Sequence, residues 1–259
     1  NKNINQGNKA FIPTFQSDNS LNPLASFVTD DYFVLLDEGE TVYNGAVDLG
    51  IGRIPASSEG EAELVLNKIL SYHSPEALGD WRNRICFIAD DEDDNLHMYD
   101  SERLAGVVNE NHGEFITDKI YFDAYKQITG PGGESYPDVT RAINDRVKEG
   151  VLIMNYVGHA NDRFIADENV LDISHINSWS NSKRLPVFVT ATCEFSRFDN
   201  DETSAGEYVL LNRNGGGIGL FSTSRLAFAV SNYFISRSFY TYVFQKDTDG
   251  NHYRMGDIM

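Results

Sequence analysis

Two short apolar runs in this chain each end on a side chain able to do chemistry: Val151 to His159 reads VLIMNYVGH, and Leu185 to Cys193 reads LPVFVTATC. Each run is too short for a globular helix and is bounded by polar segments, the pattern of a buried parallel strand. Open α/β sheets take their ligands at the carboxyl ends of such strands, which is where this imidazole and this thiol fall. If the two strands are neighbours, the 34-position separation of His159 and Cys193 closes up and both side chains face one cleft. An unperturbed thiol, with a pKa of about 8.5, is only slightly ionised at neutral pH. A histidine within hydrogen-bond reach stabilises the thiolate and later protonates a leaving amine. The backbone N–H groups of Cys193 and Ala160, at the turns after the two strands, are candidates to hold the oxyanion of a tetrahedral intermediate. The alternative is a half-buried structural histidine and an inert core cysteine. The matching positions at two strand ends set the chemical reading beside it.

The stretch NYVGHA from Asn155 and the stretch LPVFVTATCEFSRFD from Leu185 resemble the gingipain family of cysteine peptidases. DLGIGRIPA at Asp48, WRNRICFIADDED at Trp81 and GGGIGLFSTSR at Gly215 are similar, in the same order, to the branch serving the bacterial type IX secretion system as its surface signal peptidase, or sortase. These motifs span most of the region from Thr29 to Arg225. The resemblance implies a caspase/gingipain-like α/β sandwich with a mostly parallel sheet and crossover helices, and a His159–Cys193 dyad acting without a required cofactor. It implies protein substrates carrying C-terminal secretion domains, with other type IX components and anionic lipopolysaccharide as partners. It also implies an exported protein at the bacterial cell surface, associated with the outer membrane. A gingipain-like secreted endopeptidase and a catalytically silent binding or assembly module of the same fold are the alternatives. The family usually carries glycine directly after the histidine, where this chain has Ala160. By the same resemblance the chain is part of a larger protein. Residues 1–80 would end a first catalytic subdomain with connecting loops, and residues 81–259 would form the α/β subdomain bearing the dyad, cut short at its C-terminus.

Five acids, Asp90, Asp91, Glu92, Asp93 and Asp94, follow the apolar run Arg84 to Ala89. A solvated charge run is one reading. A second, implied by the family's acidic residue in this region, makes Asp90 or Asp91 the group that orients His159 in a triad. The third is calcium. Asp91, Asp93, Asn95 and Glu102 match positions of an EF-hand count, but Leu96 stands where glycine is required and a strand precedes, so only a looser calcium site is open. His97, entering the next helix, reads as a structural residue near the cleft. Phe164, in the loop after His159, is a candidate pocket wall. Glu194 and Arg225 are candidate pocket residues, Arg225 either binding a substrate carboxylate or pairing with the acidic loop. His175 lies within a short helix and ranks below His159 as a base.

The elements that would position these groups alternate. Ser57 or Ser58 caps a helix from about Glu59 to His73, with Ala62, Val65, Leu66, Ile69 and Leu70 at helical spacing. Arg84 to Ala89 is a strand, the His97 segment a helix to about Asn109, and Lys119 to Tyr125 a short strand leading to the loop at 130–133. A helix from Asp138, with Val139, Ala142, Ile143 and Val147 on one face, stops at Gly150. Trp179 and Ile176 would pack a short helix on the sheet. Thr203 to Leu211 is a helix, Ile218 to Ser222 the last strand, and the remainder an amphipathic helix cut short at Met259. Tyr32 to Leu36 reads as a further short strand, and residues 1–30 as a long loop. Strand, helix and strand in alternation predict a parallel sheet with crossover helices.

Composition supplies exclusions. The 259 residues are 41% hydrophobic, enough for a sizeable core. Lys plus Arg of 21 against Asp plus Glu of 39 gives a formal charge of −18, which repels nucleic acid and anionic membranes. No run reaches the roughly 20 apolar residues of a membrane helix, and no signal peptide precedes Asn1, so the chain is expected to be soluble and to begin within a longer protein. Two cysteines, Cys86 and Cys193, make no disulfide framework, and mid-strand Cys86 reads as a small hydrophobe.

Overall fold

The computed structural model describes residues 12–18 and 22–258. Two-residue strands β1 (Phe15–Gln16) and β2 (Val28–Thr29) pair antiparallel where the sequence suggested only loop. Tyr32 to Leu36, expected as a strand, instead holds a 3-10 turn at Asp31–Val34. Its aromatics prefer ring packing to ladder hydrogen bonds, since Tyr32 stacks on Phe15 and meets Phe33 edge-on. Helix α1 (Glu59–Tyr72) starts at Ser58, whose side chain accepts from the Glu61 N–H and satisfies one orphan donor of the first turn.

The remaining elements follow in order: β3 (Arg84–Ala89), α2 (Leu96–Asn111), β4 (Ile116–Tyr121), the hairpin β5 (Ile128–Gly130) and β6 (Gly133–Ser135), α3 (Pro137–Glu149), and β7 (Ile153–Val157). After them come the hairpin β8 (Phe164–Ile165) and β9 (Leu171–Asp172), α4 (Ile173–Ser178), β10 (Val187–Ala191), α5 (Ala205–Leu211), β11 (Gly219–Ser222) and α6 (Ala229–Tyr242). The strand expected over Lys119 to Tyr125 thus ends at Tyr121, and the glycine loop at 130–133 is the tip of β5–β6. Helix α6 stops at Tyr242, short of the run to Met259; the chain then turns back to bridge Lys246 with His252.

Strands β11, β10, β7, β3 and β4 form one parallel sheet in that order. Side chains alternate across it, as the pleat requires. Cys86, Ile88, Met154, Tyr156 and Phe188 point to one face, against Val139, Ile143 and Val147 of α3, Ile176 of α4 and Val209 of α5. Ile85, Phe87, Ile153, Val157 and Val189 point to the other, against Leu104, Ala105 and Val108 of α2 and Phe239 and Tyr240 of α6. The result is the α/β sandwich that the strand–helix alternation predicts.

The connections give the sheet a direction. From β3 the chain crosses through α2 to β4 at one edge, then returns past β3 to β7 and continues through β10 to β11 at the other edge. The order reverses between β3 and β7. At such a switch point the outgoing loops diverge and leave a crevice at the strands' carboxyl ends. The two loops that flank it here are the acidic run after Ala89 and the Gly158–His159 turn. Helix α3 delivers the chain to β7 through Gly150, at φ 94°, the left-handed stop that glycine adopts without strain.

Segments before Trp81 are tied to the later chain by specific contacts. The Lys68 ammonium donates to the Leu210 carbonyl at 2.6 Å, Arg53 lies over the Phe198 ring at 4.7 Å, and the Arg225 guanidinium donates to the Ser26 hydroxyl at 3.1 Å.

Candidate active site

Strands β7 and β10 are adjacent, and Val157 pairs with Ala191 as the last residue of each. His159 and Cys193 each lie two residues further on, so the ladder sets them at the same level above the sheet. Gly158, between strand and histidine, has no room for a side chain. A Cβ there would lie 2.4 Å from the Asp90 Cβ and 2.5 Å from the Tyr156 hydroxyl. This close approach lets Asp90 reach the turn.

Asp90 is fully buried. Its Oδ2 accepts the His159 backbone N–H at 3.0 Å, its Oδ1 accepts the Asp91 N–H at 2.9 Å, and its own N–H extends the ladder to the Val157 carbonyl at 3.1 Å. The Tyr156 hydroxyl lies 2.6 Å from the His159 carbonyl oxygen and 3.2 Å from Asp90 Oδ2. Its single proton goes to the nearer acceptor. Burial raises the Asp90 carboxyl above its ordinary range, against the N–H bond and charge of His159.

The expectation that Asp90 or Asp91 orients the imidazole is therefore corrected at the atomic level. Asp90 holds the backbone of His159, and Asp91 Oδ2 accepts the Tyr136 hydroxyl at 2.6 Å. The carboxylate on the ring is Asp93, whose Oδ2 is 3.1 Å from His159 Nε2. Asp93, Asp94 and Asn95 all adopt left-handed backbone, with φ of 56°, 53° and 66°, and this bends the acidic run back over the histidine. The same Asp93 oxygen is 3.3 Å from Nε2 of His97. The rings of His97 and His159 meet edge to face with centroids 5.0 Å apart. His97 is 4% exposed, and burial first, then the charge of His159, lowers its pKa. The sequence carried one signal for this grouping, the four-residue spacing of Asp93 and His97 across the helix start.

Cys193 Sγ lies 3.4 Å from the Ala227 nitrogen, whose N–H donates to it, and 3.5 Å from the Ala227 carbonyl oxygen. Among the described residues His159 bonds Asp93 and Cys193 bonds Ala227; the two side chains do not bond each other. Cys193 is half-buried, whereas Cys86 is fully enclosed in β3 and burial pushes its thiol up to about 12, leaving it inert. Glu194, directly after Cys193, is left-handed at φ 52° and turns the chain sharply away from the strand.

The expected pocket residues divide. Phe164 is half-buried at the start of β8, in the hairpin that follows His159. Ala160 bridges Ile165 across that hairpin through the bonds of Asn161 N–H and Ala166 N–H, which leaves its own N–H outside the pair. Its backbone is not left-handed, so alanine sits there without strain. The Glu194 carboxylate is held by Arg197 at 2.7 Å. Arg225 pairs with neither a free pocket nor the acidic loop: both of its terminal nitrogens reach Asp199, in a largely buried fork. Burial alone would raise the Asp199 carboxyl, but the hydrogen bonds and charge of Arg225 outweigh it and hold it below its ordinary value. His175 serves its own helix, closing a capping box with Asp172.

A second carboxylate group lies beneath the acidic run. Oxygens of Asp90, Asp91 and Glu168 lie within 4.8 Å of one another. Asp91 Oδ1 and Glu168 Oε2 are buried with no hydrogen-bond partner among the described residues. An all-oxygen set of this kind suits a hard cation such as calcium. The EF-hand positions, by contrast, disperse, since Glu102 is occupied by Lys119 and Tyr121.

A parallel α/β sheet with a histidine and a cysteine after adjacent strands at its switch point defines a candidate thiol-dependent site of the caspase/gingipain type. The family model for peptidase family C25 matches residues 1–259, and the chain belongs to that family. Among solved structures, it is similar to the crystal structure of the Arg-specific cysteine proteinase gingipain R, with a TM-score of 0.67, 15% identity, and coverage of 82% of this chain and 48% of that one. It is also similar to the complex of the RgpB pro- and mature domains of Porphyromonas gingivalis, with a TM-score of 0.62, 16% identity, and coverage of 78% and 47%. The chain thus spans about half the length of these solved chains. No curated protein sequence matches it. Among the described residues no helix is long and apolar enough to cross a membrane.

Proposed function

We propose that the protein is a cysteine peptidase in which Cys193 is the nucleophile and His159 its acid–base partner. The observation that carries this reading is the register of β7 and β10, which sets both residues two positions past the same ladder rung. His159 takes the thiol proton, and the sulfur attacks the peptide carbonyl carbon. The N–H groups of Ala160 and Cys193 are the proposed donors to the oxyanion. Collapse of the tetrahedral intermediate expels the amine, protonated by His159, and leaves a thioester that water or a second amine resolves. For this the imidazole turns from Asp93, or the thiol from Ala227, a change of side-chain rotamer at two partly exposed residues.

On the resemblance of the Asp48, Trp81, Cys193 and Gly215 motifs to PorU, the substrates are exported proteins bearing a C-terminal secretion domain. The enzyme would act at the outer-membrane surface alongside other type IX components, joining the new carboxyl end to anionic lipopolysaccharide. A gingipain-like endopeptidase uses the same chemistry with water as acceptor. A calcium ion at Asp90, Asp91 and Glu168 would brace the loop that holds the His159 backbone. Iodoacetamide labelling against pH tests the dyad. Cys193 is expected to label fast at neutral pH, as a thiolate nucleophile does, and His159→Ala to slow that labelling. Slow labelling indifferent to His159 refutes the peptidase and leaves an assembly module of the same fold.

A further inference from the structure

We propose that Asp93, His97 and His159 form a binding site for one divalent transition-metal ion of the Zn2+ type, and that the ion switches the Cys193 site off by occupying Nε2 of His159. The switching half rests on the peptidase reading above; the metal site does not.

The distances are those of a coordination shell lacking its ion. Zinc binds imidazole nitrogen and carboxylate oxygen at about 2.0–2.1 Å in a tetrahedron, so adjacent donors should be about 3.3–3.4 Å apart. Asp93 Oδ2 lies 3.1 Å from His159 Nε2 and 3.3 Å from His97 Nε2, close to two edges of that tetrahedron. All three residues offer donor atoms within 4.8 Å of one another.

The second observation is independent of spacing. His97 is 4% exposed, yet neither of its ring nitrogens has a hydrogen-bond partner among the described residues. Buried polar side chains are nearly always satisfied, whereas the polar contact of this imidazole is the 3.3 Å approach of Nε2 to Asp93 Oδ2, off hydrogen-bond geometry. Two nitrogens and one carboxylate oxygen select Zn2+, Co2+ or Ni2+ over calcium, which separates this site from the all-oxygen group at Asp90, Asp91 and Glu168. The Asp93 and His159 side chains are 51% and 44% exposed, so an ion can enter from solvent and keep water as its fourth ligand. An ion so held takes the lone pair that His159 needs to accept the Cys193 proton.

The test uses the chelator-treated protein titrated with Co2+ and, separately, Zn2+, with cobalt absorption and the Cys193 alkylation rate as readouts. One equivalent of Co2+ is expected to give visible d–d absorption without a sulfur charge-transfer band. Affinity should fall at least about 100-fold in His97→Gln and in Asp93→Asn, in samples whose thermal unfolding remains cooperative. Zn2+ should slow alkylation in step with occupancy, and chelation should restore it. Absence of cobalt absorption, or absorption that survives His97→Gln and vanishes in Cys193→Ala, overturns the site. Binding that leaves alkylation unchanged overturns the switch. Metal-free alkylation indifferent to His159→Ala signals instead that the peptidase reading has failed, while the cobalt titration still decides the site.

Discussion

Asp90 grips His159 by its backbone: the buried carboxylate accepts the His159 N–H at 3.0 Å, while the ring of the same histidine faces Asp93. Two carboxylates three residues apart thus fix different parts of one residue. The buried one sets where the turn lies, and the exposed one sets where the ring points. This division suits a group that must hold its position yet release its ring.

Replacing Asp90 should therefore act on both stability and reactivity. Asp90→Ala leaves the N–H groups of Asp91 and His159 without their acceptor, with an expected loss of about 2–4 kcal/mol in denaturant unfolding. Cys193 labelling should slow by about tenfold or more as the turn loosens, the order of loss seen when a supporting partner is removed. Asp90→Asn, which keeps one acceptor oxygen, should fall between. Wild-type stability in the alanine variant would show that the bond to His159 contributes nothing.

Gly158 offers a contrast within one substitution type. Gly158→Ala drives a Cβ to within 2.4 Å of the Asp90 side chain, and a loss of about 3 kcal/mol is expected. Gly106, inside α2, would meet nothing within 4 Å, so Gly106→Ala should gain about 0.5–1 kcal/mol. Melting temperatures that move in the same direction would contradict the packing described around the histidine.

The Arg225–Asp199 pair anchors the loop after Cys193. Its side chains are only 10% and 6% exposed, so removing Arg225 breaks a largely buried fork. Arg225→Leu is expected to lose about 3–5 kcal/mol. A double-mutant cycle with Asp199→Leu should recover part of that loss. If Arg225→Leu leaves stability intact and weakens only the binding of acidic peptides, the residue belongs to the pocket.

Lys68 supplies a pH dependence of known sign. Its ammonium is buried against Leu210, and burial lowers its pKa from 10.5 to about 8. Below pH 8 both folded and unfolded chains carry the proton and the burial penalty is complete. Between about 8 and 10.5 the unfolded chain holds a proton that the folded chain has released, so stability rises with pH. Measured against Lys68→Met, the wild type should gain about 2–3 kcal/mol between pH 7.5 and 10.5. A constant difference across that range would place the ammonium in water.

What was legible in the sequence is what local pattern encodes. The apolar runs ending at Ala89, Val157 and Ala191 are strands because a chain buried on both faces must be apolar throughout. The helix ending at Gly150 was marked by its stop, and the one starting after Ser58 by its cap. Tyr32 to Leu36 misled because its apolar residues pack as rings in a turn, a choice made by Phe15, which lies far from them in sequence. The helix after Phe228 ended at Tyr242, earlier than its pattern suggested, where the chain turns back on itself.

The sequence by itself located His159 and Cys193 just past the ends of two strands, and the family motifs lie in order along the chain. Tertiary structure decided which of five successive acids does what. Asp90 is buried because β3 and β7 are neighbours, Asp91 meets Tyr136 from the start of α3, and three left-handed residues return Asp93 to His159 and His97. The likeness of those acids along the chain hides that difference, because it arises from burial and contact with elements up to 69 residues away, which no local pattern records.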